Sequence, residues 1–340
     1  MIRHHSAIGS AAWTDLLRSL KDGAVSDLRG APKLKSVGAK AYWYDHYRIG
    51  TETIDRYIGE DSEELRSRLA RQKQIAAAAR ETERDRARLM RALRAEGYLM
   101  ADVASGQAIL AMARTGVFRL GGTLVGTQAF RCYDGELGVR IGFDQSAMTN
   151  DIDIASFERL SLALEDRVET PLAGVFSDLK FDPVPALPGG KVWRWRQTER
   201  QTFVEFLTPS FDEEEGIRDL PALCVSAQSL HFLNYLIAEP IQVPFLYRSG
   251  VLIQVPRPER FAIHKLIVAD RRREGPDALK ARKDRAQAAF LVDVLSEDRP
   301  EDLADAYDTA MESGPAWRSR IAATLERMPG TKSRLDGVLS

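Results

Sequence analysis

Apolar and polar positions alternate with different periods along the chain. Helical spacing over residues 7–21 predicts a short amphipathic helix. Tyr42-Trp43-Tyr44 and the stretch through Tyr57-Ile58-Gly59 predict two strands joined near Ile49-Gly50-Thr51. Asp61 or Ser62 is placed to cap the next helix, with Glu63 and Glu64 in its first turn. That helix is rich in Ala, Arg and Glu, has neither Pro nor Gly, and is expected to run to about Arg94. Its mixed charges read as a solvated or coiled-coil-like face, with RNA contact as the alternative. A further helix near 102–115 is expected to end at Gly116.

In the middle of the chain, Val117-Phe118-Arg119-Leu120 predicts a strand and Gly121-Gly122 a turn. Thr123 to about Tyr133 then predicts a helix. Asp151 to Ala155 reads as the next strand and about 156–169 as a helix. Pro188-Gly189-Gly190 breaks the chain before Val192–Arg196, which turns at Thr198-Glu199-Arg200 and returns as Thr202–Leu207. That pair predicts an antiparallel hairpin. Residues 227–238 suggest a helix, and Gln242 to Val255 a hairpin turning at Ser249-Gly250. Beyond Pro256 and Pro258, helices are expected near 259–273, 276–296, 299–312 and 316–327. The implied organisation is an N-terminal hairpin and long helix over 1–100, a core over 101–240, and a hairpin with a helical region over 241–340. The class is α+β.

Composition narrows the picture. A chain of 340 residues, 44% hydrophobic and 29% charged, can bury a sizeable core. The net charge of −1 leaves no global signal for nucleic acid, so any basic footprint must be local. Cys132 and Cys224 are too few for a disulfide framework. No apolar run is long enough for a transmembrane helix, and no apolar signal core follows the N-terminus. The expected location is the cytoplasm, with no membrane partner.

The chemistry concentrates in Asp151-Ile152-Asp153-Ile154. Acids at i and i+2 on a strand share a face, with Cα atoms about 6.6 Å apart, twice the strand rise. Both can therefore reach one divalent ion or a close pair. A hard cation such as Mg²⁺ accepts a few carboxylates and leaves its other positions to water and substrate phosphates. A Gly-Gly turn opening a helix, expected at Gly121-Gly122-Thr123, supplies backbone N–H groups to a phosphate. Glu205 lies inside an otherwise apolar strand, so it needs either a catalytic role or a cross-hairpin partner, Arg194 or Arg196. Lys265 is placed to bind phosphate or to snorkel from its helix. Lys283 and Asp284 read as an ordinary surface pair or a helix-packing bridge. Tyr42, Trp43, Tyr44 and Tyr57 could stack on bases, although packing a small hairpin is the simpler use. The five histidines lack zinc spacing, and neither a P-loop nor a Gly-x-Ser-x-Gly elbow is present.

Taken in order, these residues resemble the polymerase-β-like nucleotidyltransferases. The resemblance rests on Leu120-Gly121-Gly122, Asp151-Ile152-Asp153-Ile154 and Val204-Glu205-Phe206, and covers about 117–296. Thr149 before Asp151 is similar to the Thr-x-Asp-hydrophobic-Asp form of the abortive-infection type IV toxins. Leu207-Thr208-Pro209 after the third acid resembles a bacterial nucleotidyltransferase-like group. The resemblance implies a mixed sheet flanked by helices, with Asp151, Asp153 and Glu205 as metal-binding and catalytic acids. It also implies one or two Mg²⁺ ions, and Gly121, Gly122, Thr123, Lys265 and Lys283 as substrate contacts. The implied reaction moves a nucleoside monophosphate from an NTP to a hydroxyl on RNA, protein or a small molecule, releasing pyrophosphate. A catalytically inactive nucleotide or RNA binder, and a toxin-like enzyme held by a regulatory partner, are the alternatives; a homo-oligomer is compatible with each. Two features depart from the pattern: the third acid is Glu rather than Asp, and the gap from Gly122 to Asp151 implies an insertion around 135–148.

Overall fold

The computed structural model describes residues 2–340 except 27, 29, 39, 50–51, 143–150, 158–165, 169, 187–189, 198, 200 and 275–277. Thr149, most of the expected helix over 156–169, and parts of the turns at 49–51, 188–190 and 198–200 thus lie outside the described residues.

The N-terminal region follows the hydrophobic pattern with two changes. Helix α1 (Ala7–Ser26) precedes three antiparallel strands, β1 (Ala31–Val37), β2 (Lys40–Ile49) and β3 (Glu52–Glu60), of which β1 was not expected. Tyr42, Tyr44 and Tyr57 are buried together between these strands, so packing is the use made of them. Ser62 caps the next helix by accepting from the Leu65 N–H. The expected single helix to Arg94 is instead three pieces: α2 (Glu63–Ala70), α3 (Gln72–Ala77) and α4 (Ala79–Ala95). Arg71 leaves helical geometry at the first joint, and Ala78 forms a turn at the second. Both outer pieces are tied to α1: Arg68 Nε lies 2.9 Å from Asp22 Oδ1, and Arg86 Nε lies 2.9 Å from Ser19 Oγ. Tertiary ties here override helix propensity.

Helix α5 (Val103–Thr115) is capped by Asp102 and closes at Gly116 in the left-handed region, as the pattern predicts. Residues 117–121 are turns rather than a strand. The first strand of the central sheet is β4 (Thr123–Val125), and its helix, α6 (Gly126–Glu136), starts three residues later than expected. Gly121-Gly122 therefore does not open that helix, and Thr123 belongs to the strand. The sheet continues with β5 (Asp151–Ala155), helix α7 (Leu172–Asp178), β6 (Asp182–Pro185), β7 (Val192–Gln197), β8 (Thr202–Pro209), β9 (Ile217–Leu220) and β10 (Val225–Leu230). Its order is β4-β5-β8-β10-β9, with β7 joining β8 and β6 joining β7. The helix expected over 227–238 is instead the end of strand β10, as far as Leu230, and then a single helical turn, α8 (Leu233–Leu236). Parallel pairing to β8 and antiparallel pairing to β9 hold β10 extended, and neither partner is visible in a local window.

A hairpin, β11 (Ile241–Phe245) and β12 (Val251–Val255), leads into five helices: α9 (Pro258–Arg271), α10 (Ala278–Asp298), α11 (Pro300–Glu312), α12 (Pro315–Leu325) and α13 (Pro329–Val338). Proline starts four of them, where its missing N–H costs nothing. The main hydrophobic cluster runs from Ala12 through the sheet to Leu335, so the sheet and both flanking regions share one core. The chain is thus α+β, a mixed sheet flanked by helices. Among the described residues no helix is long and apolar enough to cross a membrane.

Candidate active site

Strand alternation builds the site. On β5, Ile152 and Ile154 point into the core, and on β8, Val204 and Phe206 do the same; all four are fully buried. Each such side chain contributes roughly 1.5–3 kcal/mol of burial, which pins the register. Asp151, Asp153 and Glu205 must then project to the opposite face. Parallel pairing sets Asp153 beside Glu205, while antiparallel neighbours set Val125 beside Asp153 and Arg194 beside Glu205. One row across four strands therefore reads Val125, Asp153, Glu205, Arg194.

Gly126 follows Val125 and opens α6 at a φ of +66°, a conformation that favours glycine. A Cβ there would stand 2.2 Å from Asp153 Oδ2, so only glycine lets the helix start pass this carboxylate. The helix has no side-chain cap and no acid in its first turn, which leaves its first N–H groups and its dipole suited to an anion. Thr127 lines the same cleft, and Lys283 Nζ sits 3.0 Å from its Oγ1. Gly121, Gly122 and Thr123 do not line the cleft. Thr123 is buried, its hydroxyl directed at the Gly121 carbonyl 3.3 Å away.

The cleft holds about 280 Å³ between the sheet and helices α9 and α10. Lys265, Arg272, Lys280 and Lys283 enter from the helices, and Leu207, Leu230, Leu233, Leu236 and Phe261 form an apolar wall. Lys265 and Arg272 share the buried Asp284, at 2.6 and 2.8 Å. Burial would raise the Asp284 carboxyl, but these two cations outweigh it and hold it below the usual range. Asp284 is thus a helix-packing bridge, and Lys283 faces the cleft. Burial and the nearby Lys265 lower the Lys283 ammonium. Burial and Lys265 push His264 down to about 3, so this imidazole is neutral in the cleft.

The carboxylates are crowded. Burial, then Glu205 and Asp151, raise Asp153 from an ordinary 3.8 to about 7. Burial raises Glu205 as well, partly offset by Arg194, with Asp151 adding to the rise. Arg194 Nη2 lies 2.6 Å from Glu205 Oε1, so the cross-hairpin partner expected for Glu205 is present and is Arg194. Among the described residues, no three His, Cys, Asp or Glu side chains stand close enough to hold a metal ion together.

A family model described as a nucleotidyltransferase matches residues 103–312, more than half of the chain and every cleft residue named above. The chain belongs to this nucleotidyltransferase family. A second model, described as a domain of unknown function, matches residues 13–67, from within α1 into α2. No curated protein and no solved structure matches the chain. Within a nucleotidyltransferase the cleft has a direct reading, with an acidic strand face set against a cationic helix face. The residue that sequence reasoning missed is Gly126, hidden by the more conspicuous glycine pair four residues upstream. Its signal was Leu124-Val125, a short β-forming pair directly before Gly126-Thr127 and a helical run.

Proposed function

We propose that this nucleotidyltransferase transfers a nucleoside monophosphate from an NTP to a hydroxyl acceptor, with release of pyrophosphate and dependence on Mg²⁺. The observation that carries the reading is the registered row of Val125, Asp153, Glu205 and Arg194, with Gly126 opening a helix against Asp153. The donor set suits a hard cation, because it offers only oxygens and because Asp153 is raised to about 7 by burial and then by the neighbouring Glu205 and Asp151 carboxylates, whose repulsion a cation would relieve. Asp151 and Asp153 would hold Mg²⁺, which when bound supplies charge neutralisation at the reacting phosphates.

The remaining work falls to the chain. The free N–H groups at the start of α6, with Thr127 and Lys283, hold a phosphate of the NTP. Lys280 adds charge from the helix side; Lys265 and Arg272, tied to Asp284, together contribute one net positive charge. The apolar wall excludes water and gives the base a surface. The acceptor hydroxyl oxygen attacks the α-phosphorus as the bond to the bridging oxygen breaks and pyrophosphate leaves. The hydroxyl proton passes to Glu205 and then to solvent.

A second reading, a nucleotide binder without turnover, draws support from the Arg194–Glu205 pair, which keeps the third acid engaged. Pyrophosphate release and fluorescent NTP binding, measured together with Mg²⁺ on purified protein, separate the two. Release that is lost in Asp151→Asn supports transfer; binding with no release across RNA, protein and small-molecule acceptors overturns it.

A further inference from the structure

We infer that Arg194 is a positioning residue that withholds Glu205 from the cation site until a triphosphate enters, so that nucleotide binding itself completes the carboxylate set. The inference rests on the nucleotidyl-transfer reading above. Three observations carry it. Arg194 lies directly opposite Glu205 on β7, with Nη2 2.6 Å from Oε1. Its guanidinium carbon also lies 4.4 Å over the Phe203 ring and 5.7 Å from that of Trp193. Ring faces therefore anchor it independently of the carboxylate. Its Nε is buried and finds no acceptor among the described residues, so the guanidinium fork is incompletely satisfied as it stands.

The exchange is physically balanced. The Arg194 side chain is 36% exposed and lines the cleft, so its guanidinium is open to an entering anion. A guanidinium binds phosphate in the same forked geometry as carboxylate, and a triphosphate brings more charge. Once Arg194 turns to phosphate, Glu205 loses its cation beside Asp153 and Asp151, and its need for a new counter-charge draws it to the ion. By linkage, nucleotide and cation then tighten each other's binding, and Arg194 transmits that coupling.

Manganese provides the probe, titrated by electron paramagnetic resonance and calorimetry into wild type, Arg194→Ala and Arg194→Gln, with and without an α,β-methylene NTP. Two variants are used so that a folding defect in one does not silence the test, and circular dichroism checks both. Without nucleotide, the variants should bind Mn²⁺ at least tenfold more tightly than wild type, and adding Glu205→Gln should abolish the gain. The methylene analogue should tighten Mn²⁺ binding at least threefold more in wild type than in either variant. Equal Mn²⁺ affinity in wild type and variants, lost in Asp151→Asn, would overturn the role of Arg194 while leaving the cation site intact. No Mn²⁺ binding by any protein, even with the analogue, would overturn this inference and the nucleotidyl-transfer reading together.

Discussion

Replacing Asp153 by Asn should abolish transfer and yet make the protein more stable. The carboxyl is raised from an ordinary 3.8 to about 7, chiefly by burial and then by Glu205 and Asp151. At about 1.36 kcal/mol per unit, this rise of about three units sets a ceiling of about 4 kcal/mol on the strain of holding the charge. Asparagine keeps the shape and brings N–H donors that the flanking carboxylates can accept, so a gain of about 1–3 kcal/mol at pH 8 is expected. For a chain of this length that is roughly 1.5–4 °C in Tm. The sign follows from proton counting. Between 3.8 and about 7 the folded protein keeps a proton that the unfolded chain has released. Wild-type stability therefore falls as pH rises through that window. The amide of the Asp153→Asn variant does not titrate, so the gap between the proteins should be widest at pH 8 and narrow towards pH 4. Denaturant melts of both proteins at several pH values, with divalent ions chelated, measure it. Added Mg²⁺ should then stabilise wild type alone. A variant no more stable than wild type at pH 8, or a gap that does not change with pH, would refute the reasoning.

Gly126→Ala should lower activity at least a hundredfold and cost about 1–2 kcal/mol, because its Cβ meets Asp153 Oδ2 and its φ is positive; steady-state kinetics and melting curves check this. Lys283→Met should weaken NTP binding about tenfold, the scale of one charge-assisted phosphate contact. A fluorescent nucleotide reads this change, and it should come without loss of the fold. Lys265→Met should cost about 2–4 kcal/mol, less than a fully broken buried pair because Arg272 still faces Asp284. Urea unfolding tests it.

The site was legible where local pattern and chemistry coincide. Asp151 and Asp153 are the polar phase of an alternation with Ile152 and Ile154, and Glu205 interrupts an apolar run; both patterns mark the face that cannot enter the core. Their meeting is a matter of parallel register between β5 and β8, which spacing alone does not reveal. Gly126 was missed because glycine marks turns as well as phosphate loops. What distinguishes it is the Asp153 carboxylate crossing its Cβ position, a contact between residues 27 apart. Gly121-Gly122 serves a turn instead, where a Cβ on Gly122 would meet the Val117 carbonyl. Strand β10 read as a helix because its extended form depends on β8 and β9 rather than on its own residues. The breaks at Arg71 and Ala78 fall between two ties to α1, from Arg68 and Arg86, which no helical window contains. Arg194 was visible as a partner for Glu205, but its contact with the Phe203 ring, which lets it release that partner, was not.

The most direct test is to incubate the purified protein with each α-labelled NTP, Mg²⁺ and total RNA, beside the Asp151→Asn/Asp153→Asn double variant. Label covalently transferred to RNA or protein by wild type and absent from the variant is the predicted result. Transfer that persists in the variant, under matched folding, would contradict the assignment of these carboxylates to the reaction.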